Sequence, residues 1–173
     1  TNCSMRNNRA VYGGGAHCES GGLVERSTMS GNSATYGGGF RCKQGGEARY
    51  CAINDNTAYA GGGAEHAKEG SLINCTLSGN FATNGGGGVY MTAGTVSNCW
   101  FLGNRSTGDP GVGGVYMSGG LVMDSRFVGN YSSTDGGAAI LFGASVMRGC
   151  TFVTNTAGRW GGAIRMDGGS VFN

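Results

Sequence analysis

The chain has 173 residues, of which 38 are glycine and one is proline, with 39% hydrophobic and 13% charged residues. Glycine at about three times its usual ~7% share excludes an ordinary helical domain. The single proline and the lack of a Gly-X-Y period exclude collagen, and the apolar fraction excludes a disordered low-complexity tract. Twelve basic residues, ten Arg and two Lys scattered along the chain, stand against ten acidic ones for a net charge of +2, which gives no electrostatic footprint for nucleic acid or an anionic membrane.

Taken in chain order, one motif recurs. It reads CSMRNN from residue 3, STMSGN from 27, CAINDN from 51, CTLSGN from 75, CWFLGN from 99, SRFVGN from 125 and CTFVTN from 150, at steps of 24, 24, 24, 24, 26 and 25 residues. Each copy opens on Cys or Ser, has an apolar residue two positions later (Met5, Met29, Ile53, Leu77, Phe101, Phe127, Phe152) and an Asn five positions later: Asn8, Asn32, Asn56, Asn80, Asn104, Asn130 and Asn155. A glycine cluster follows each Asn and leads into an apolar-x-apolar triplet, as in GGGFRC from Gly37, GGGVYM from Gly86 and GGAIRM from Gly161. A third apolar site precedes the Cys or Ser by three residues at Val24, Ala48, Leu72, Val96 and Val122, and near Val146. Period-2 alternation between Gly, Asn and Ser turns predicts about three short strands per repeat, with no competing helical spacing.

Strands this short cannot make a core alone. Coiling them at ~24 residues per turn stacks each on its copy in the next turn, ~4.8 Å away. The expected fold is therefore all-β: a parallel β-helix (solenoid) of about seven rungs and roughly 34 Å in length, right-handed by the usual chirality of parallel crossovers. Stacked amides in the Asn column are expected to bond from rung to rung as a ladder. The longest weakly polar stretch, Gly136 to Met147, is short of the ~18 residues that span a bilayer, and no signal peptide opens the sequence, so an export signal is expected to lie outside it.

FLGN at 101, FVGN at 127 and FVTN at 152, with GGAI at 161 and GGVY at 87 and 113, resemble the FxxN and GGAI repeats of chlamydial polymorphic membrane proteins and related bacterial surface β-helix proteins. The resemblance runs along the whole chain. It implies a right-handed parallel β-helix exposed outside the cell or on a bacterial surface, as an adhesin or autotransporter passenger. In the first four repeats Met, Ile or Leu replaces the Phe, and no stretch resembles the family's membrane-inserting barrel.

Residues 1–173 thus form one expected β-helix domain without obvious caps. Asn2, Asn74, Asn98 and Asn173 hold the same phase before a Cys position. Two explanations of uncapped ends stay open: a window from a longer solenoid, or a subunit stacking head to tail into a filament. Flanking domains or self-association are the expected partners.

The seven cysteines fall in two columns, Cys3, Cys51, Cys75, Cys99 and Cys150, and Cys18 with Cys42. Ser27 and Ser125 share the first column, so its cysteines are read as small buried hydrophobes. Cys18 and Cys42 are the pair most readily bridged, although stacked parallel side chains keep Cβ atoms beyond the preferred ~3.8 Å. No CxxC or CxH spacing points to a metal, and no cofactor is implied. Asp109 and Asp135, in neighbouring turn insertions, come nearest to a catalytic carboxylate pair but are read as solvated turn residues. His17 and His66 lie on distant rungs, so no catalytic triad is expected. Asn104 and Asn130 head NRS and NYS sequons, yet their ladder positions speak against glycosylation.

The outer surface carries the candidate contacts. One outward column reads His17, Arg41, Glu65, Tyr90, Tyr116, Leu141, Arg165, in which Tyr90 over Tyr116 offers either a platform for sugar rings or a partner, or a pair that only stabilises the sheet. Another reads Arg6, Ser30, Asn54, Ser78, Leu102, Val128, Val153 with Trp100 beside it, and its apolar end suggests packing against another chain or domain. The expected function is a non-enzymatic extracellular solenoid, as adhesin passenger, stalk or filament subunit. The alternative is a glycan-binding or glycan-cleaving β-helix of the pectin-lyase type.

Overall fold

The computed structural model describes residues 2–173, an all-β chain whose strands stack in parallel as a solenoid of about seven turns, ~24 residues apart. Each rung begins with a three-residue strand on the Cys-x-apolar motif: Ser4–Arg6, Thr28–Ser30, Ala52–Asn54, Thr76–Ser78, Trp100–Leu102, Arg126–Val128 and Thr151–Val153 form one seven-stranded sheet. Its register aligns Met5, Met29, Ile53, Leu77, Phe101, Phe127 and Phe152 in one inward column. The last three stack ring on ring, with centroids 4.4 and 5.2 Å apart.

The residues bracketing this strand explain its brevity. The position before each Cys or Ser is left-handed in Arg26, Tyr50, Asn74, Asn98, Asp124 and Gly149, and the position before each ladder Asn is left-handed in Asn7, Gly31, Asp55, Gly79, Gly103, Gly129 and Thr154. A left-handed residue turns an extended chain sharply, and Gly and Asn do so at least cost. The recurring phase of Asn2, Asn74 and Asn98 is this corner.

After the ladder Asn, the structure differs from expectation. A second sheet of six strands runs through Ser33–Tyr36, Thr57–Ala60, Phe81–Ala82, Arg105–Ser106, Tyr131–Ser132 and Thr156–Ala157. Most of these strands are two residues long, too short to show any alternation. Conversely, the two strands expected after the glycines share one ten-stranded sheet, and in four rungs they fuse into Phe40–Arg49, Ala64–Ile73, Ala139–Arg148 and Ile164–Phe172. The glycine cluster between the second and third sheets turns the chain where neighbouring backbones nearly touch. Gly61 is left-handed, at φ 66°, and a Cβ on Gly62 would lie 2.5 Å from the Gly87 carbonyl oxygen.

Two positions in the sixth rung are corrected. Ile140, not Leu141, pairs with Tyr116 and Arg165 in the outward column, while Leu141 is buried in line with Met117. The reason is local: Ala138 takes the place of the third glycine, so counting from the glycine pair slips by one residue. The inward partner of Val122 is likewise Met147 rather than Val146. A fourth, two-stranded sheet pairs Gly85–Gly86 with Gly111–Val112, and the core is the space enclosed by the three large sheets, filled by fully buried Phe40, Leu72, Val89, Met91, Val96, Val115, Met117 and Val122 together with the Met-to-Phe column.

Candidate contact surface

The chemistry-bearing columns come first, because their bonding decides what is left for a partner. Each ladder Asn from Asn32 to Asn155 accepts two hydrogen bonds on Oδ1 from the Asn one rung earlier. Asn56 donates its main-chain N–H and its Nδ2 to Asn80 Oδ1, both at 3.0 Å. Asn80 in turn donates Nδ2 to Asn104 Oδ1 at 2.9 Å and to the Ile53 carbonyl at 2.8 Å. The pattern repeats from Asn8 through Asn155. Asn32, Asn56, Asn80, Asn104 and Asn130 are buried, so the two sequons have their amides inside the molecule and fully bonded.

The first cysteine column does more than fill space. Cys51 N–H donates to Cys75 Sγ and Cys75 N–H to Cys99 Sγ, each at 3.4 Å, and Cys99 N–H donates to Ser125 Oγ at 3.1 Å. The thiol or hydroxyl also donates to the carbonyl two residues back, as from Cys99 to Ser97 and from Ser125 to Met123. A small side chain carrying one donor and one acceptor suits the site, which is why Ser and Cys interchange there. Hydrogen bonding with Cys75, then burial, holds the Cys51 thiol well above its ordinary range.

Cys18 and Cys42 are in register on adjacent rungs but unbridged. Parallel neighbours ~4.8 Å apart hold their Cβ atoms too far apart for relaxed disulfide geometry. Cys42 Sγ instead accepts the Gly46 N–H at 2.8 Å and faces the Glu69 carbonyl at 3.1 Å. Burial pushes both thiols up.

Asp135 is not a solvated turn residue. Its carboxylate is fully buried and receives Arg159 through both oxygens, at 3.0 and 2.8 Å, and Arg165 at 2.8 Å. The Arg159 bond holds that carboxyl below its ordinary range. Arg159 also reaches the exposed Asp109 at 2.6 Å, tying three successive rungs together. The Arg159 and Arg165 guanidiniums also lie over the Trp160 ring, 4.4 and 4.7 Å from its centre. His66, in the Cys42 column, is fully buried with neither ring nitrogen hydrogen-bonded. Among the described residues, no group of three or more His, Cys, Asp or Glu side chains is placed to hold a metal ion.

On the surface, Tyr90 and Tyr116 are in register with rings stacked at 4.8 Å and 14°. Their facing surfaces cover each other, and the Phe142 ring lies 5.4 Å from that of Tyr116. On the first sheet Leu102, Val128 and Val153 align and are half-buried, while Trp100 is exposed beneath the Arg126 guanidinium.

A cleft of about 280 Å³ opens beside the tyrosine pair, lined by Tyr36, Tyr59, Ala60, Asn84, Tyr90, Pro110 and Tyr116. Sequence reasoning missed Tyr36, Tyr59, Asn84 and Pro110. Their signal is faint, because Tyr12, Tyr36 and Tyr59 precede their glycines whereas Tyr90 and Tyr116 follow theirs.

Residues 74–92 match the model of the Chlamydia polymorphic membrane protein repeat. The matched segment runs from the left-handed corner at Asn74, through Cys75 and Asn80, to the third-sheet strand at Met91, which is one rung less its return. The resemblance of the FxxN and glycine motifs to that repeat and the solenoid geometry agree. No curated protein and no solved structure matches the chain.

Proposed function

We propose that this chain is a rigid, non-enzymatic solenoid displayed on a bacterial outer surface, acting as an adhesin-type passenger or stalk that presents side-chain stripes to a partner. The observation that carries the reading is the repeat match at residues 74–92, set in a stack where the same ladder continues on both sides, from Asn56 through Asn80 to Asn104. The bonding of the interior supports it. The Asn and Cys columns are committed to rung-to-rung bonds, and the two candidate acid residues, Asp109 and Asp135, are both neutralised by Arg159. What faces outward is contact surface: tyrosines, Trp100 and the Leu102–Val128–Val153 stripe.

Antibodies raised against the purified solenoid should label intact cells of the organism that makes it, and beads coated with the protein should attach to cultured epithelial cells above albumin-coated beads. Labelling only after permeabilisation, or attachment no better than albumin, would overturn the proposal.

A further inference from the structure

Two runs of aromatic side chains flank the glycine turns, Tyr12, Tyr36 and Tyr59 on the first three rungs and Tyr90, Tyr116 and Phe142 on the next three. Ring contacts run Tyr12 to Tyr36 at 5.9 Å, Tyr36 to Tyr59 at 6.4 Å, Tyr90 to Tyr116 at 4.8 Å and Tyr116 to Phe142 at 5.4 Å. The two runs part between Tyr59 and Tyr90, and the cleft of about 280 Å³ sits at the break. Small, buried Ala60 makes its floor, and Pro110, from the insertion that lengthens the fifth repeat, makes one wall. Tyr59 stands edge-on to Tyr36 at 78°, half exposed, with its hydroxyl accepting a 2.8 Å hydrogen bond from Asn84 Nδ2.

The lining defines the ligand. It contains no charged side chain, and charges around it are already paired, Arg41 with Glu65, Arg159 with Asp109 and Arg165 with Asp167. It combines aromatic faces and edges with four phenol hydroxyls, which donate and accept, and the Asn84 side-chain carbonyl, which accepts. Burial pushes the Tyr90 and Tyr116 phenols up, keeping them protonated donors. Backbone amides at the floor are spent between rungs, Asn84 N–H on the Tyr59 carbonyl and Gly85 N–H on the Pro110 carbonyl, so they are not free for the main chain of a bound peptide. Aromatic carbon beside convergent neutral hydroxyls is the complement of a sugar ring, with C–H faces and hydroxyl edges. We propose that the cleft between Tyr59 and Tyr90 binds a neutral oligosaccharide, with one pyranose ring against the aromatic walls and its hydroxyls bonded to the phenols and Asn84 Oδ1. The proposal rests on the surface-contact reading and names the chemistry of the contact.

The test uses the purified chain, calorimetry and saturation-transfer NMR, with a panel of neutral trisaccharides (cellotriose, maltotriose, mannotriose, N-acetylchitotriose), a heparin-derived acidic oligosaccharide and a decaproline peptide. At least one neutral sugar should bind at one site per chain, and Tyr59→Ala should weaken it at least tenfold. Tyr50→Ala, which removes a similarly exposed ring from the corner before Cys51, should change nothing. Tyr59 is half exposed, so its variant is expected to keep the parent melting temperature; Tyr59→Phe, which keeps the ring and removes only the hydroxyl, should still lose part of the affinity and serves as the test if Tyr59→Ala proves destabilised. Binding of none of the neutral sugars, of the acidic or peptide probe alone, or binding that survives Tyr59→Ala would overturn the proposal. None of these outcomes touches surface labelling or bead attachment, so the two proposals fail separately.

Discussion

His66 occupies a column whose other members are Cys18, Cys42, Met91, Met117, Leu141 and Met166. Its ring meets Phe40 edge-on at 6.4 Å, and both nitrogens are buried without a partner. A charge there would be far from water, so burial pushes the imidazole pKa down from 6.5 to about 4. The folded value lies below the unfolded one, so the stabilising effect is complete above pH 6.5 and is lost as pH falls towards 4. Over that window the loss is roughly 3 kcal/mol. Denaturant titrations at pH 7 and pH 4.5 should show this fall, and His66→Met, which copies the residue one rung on, should abolish most of it. A variant that keeps the full slope would place the acid sensitivity elsewhere. Thr154 is a second residue out of place, since it holds φ 51° at the corner where other rungs use Gly31, Gly79, Gly103 and Gly129. A β-branched residue is strained there. Thr154→Gly should therefore stabilise by about 1 kcal/mol, read as a rise in melting temperature of a few degrees.

Among the elements, the Asn ladder makes the strongest demand on side-chain identity. Asn80→Ala leaves the Asn56 N–H and one Asn56 Nδ2 hydrogen without their acceptor and removes the side-chain bond to the Ile53 carbonyl, all inside the molecule. Unsatisfied buried groups cost about 1–3 kcal/mol each, so a loss of at least ~3 kcal/mol in denaturant unfolding is expected, and a loss under ~1 kcal/mol would deny the ladder its role. The cysteine column should be more tolerant. Cys75→Ser keeps the acceptor for the Cys51 N–H and should shift stability by less than ~1 kcal/mol, whereas Cys75→Ala should lose about 2 kcal/mol. These columns were legible in the sequence because stacking makes a strict period, and identical side chains at a fixed step declare a shared environment. The second sheet was not legible, because strands such as Phe81–Ala82 and Arg105–Ser106 are set by their neighbours' backbones rather than by any pattern of their own. The Asp135–Arg159–Arg165 cluster and the tyrosine cleft escaped for a related reason. Their residues sit at different offsets from the repeat motif and meet only after rungs of 24 and 26 residues are laid on one another.

Across the whole molecule each rung packs on the rungs beside it, with the Arg159–Asp109 pair reaching one rung further, so stability should be close to a sum of rungs and interfaces rather than a property of one closed core. Removing residues 75–98 tests this directly. The deletion joins Asn74 to Cys99, and Asn74 and Asn98 share the same left-handed corner, at φ 54° and 49°. Ile53 would then stack on Phe101, Asn56 on Asn104 and Ala64 on Val115, repeating contacts of the kind the parent already makes. The shortened chain should give the same β-type circular dichroism and one cooperative unfolding transition at somewhat lower denaturant. Removing residues 75–97 instead leaves one residue too many between the rungs. Side chains alternate in direction along a strand, so a one-residue slip turns the inward column outward and carries Asn104 out of line with Asn56. That chain should unfold at clearly lower denaturant than the 75–98 deletion, because the extra residue has to be absorbed as a bulge or a longer turn. Equal behaviour of the two deletions would mean that the rungs adjust to one another freely, and the stacking argument would fail.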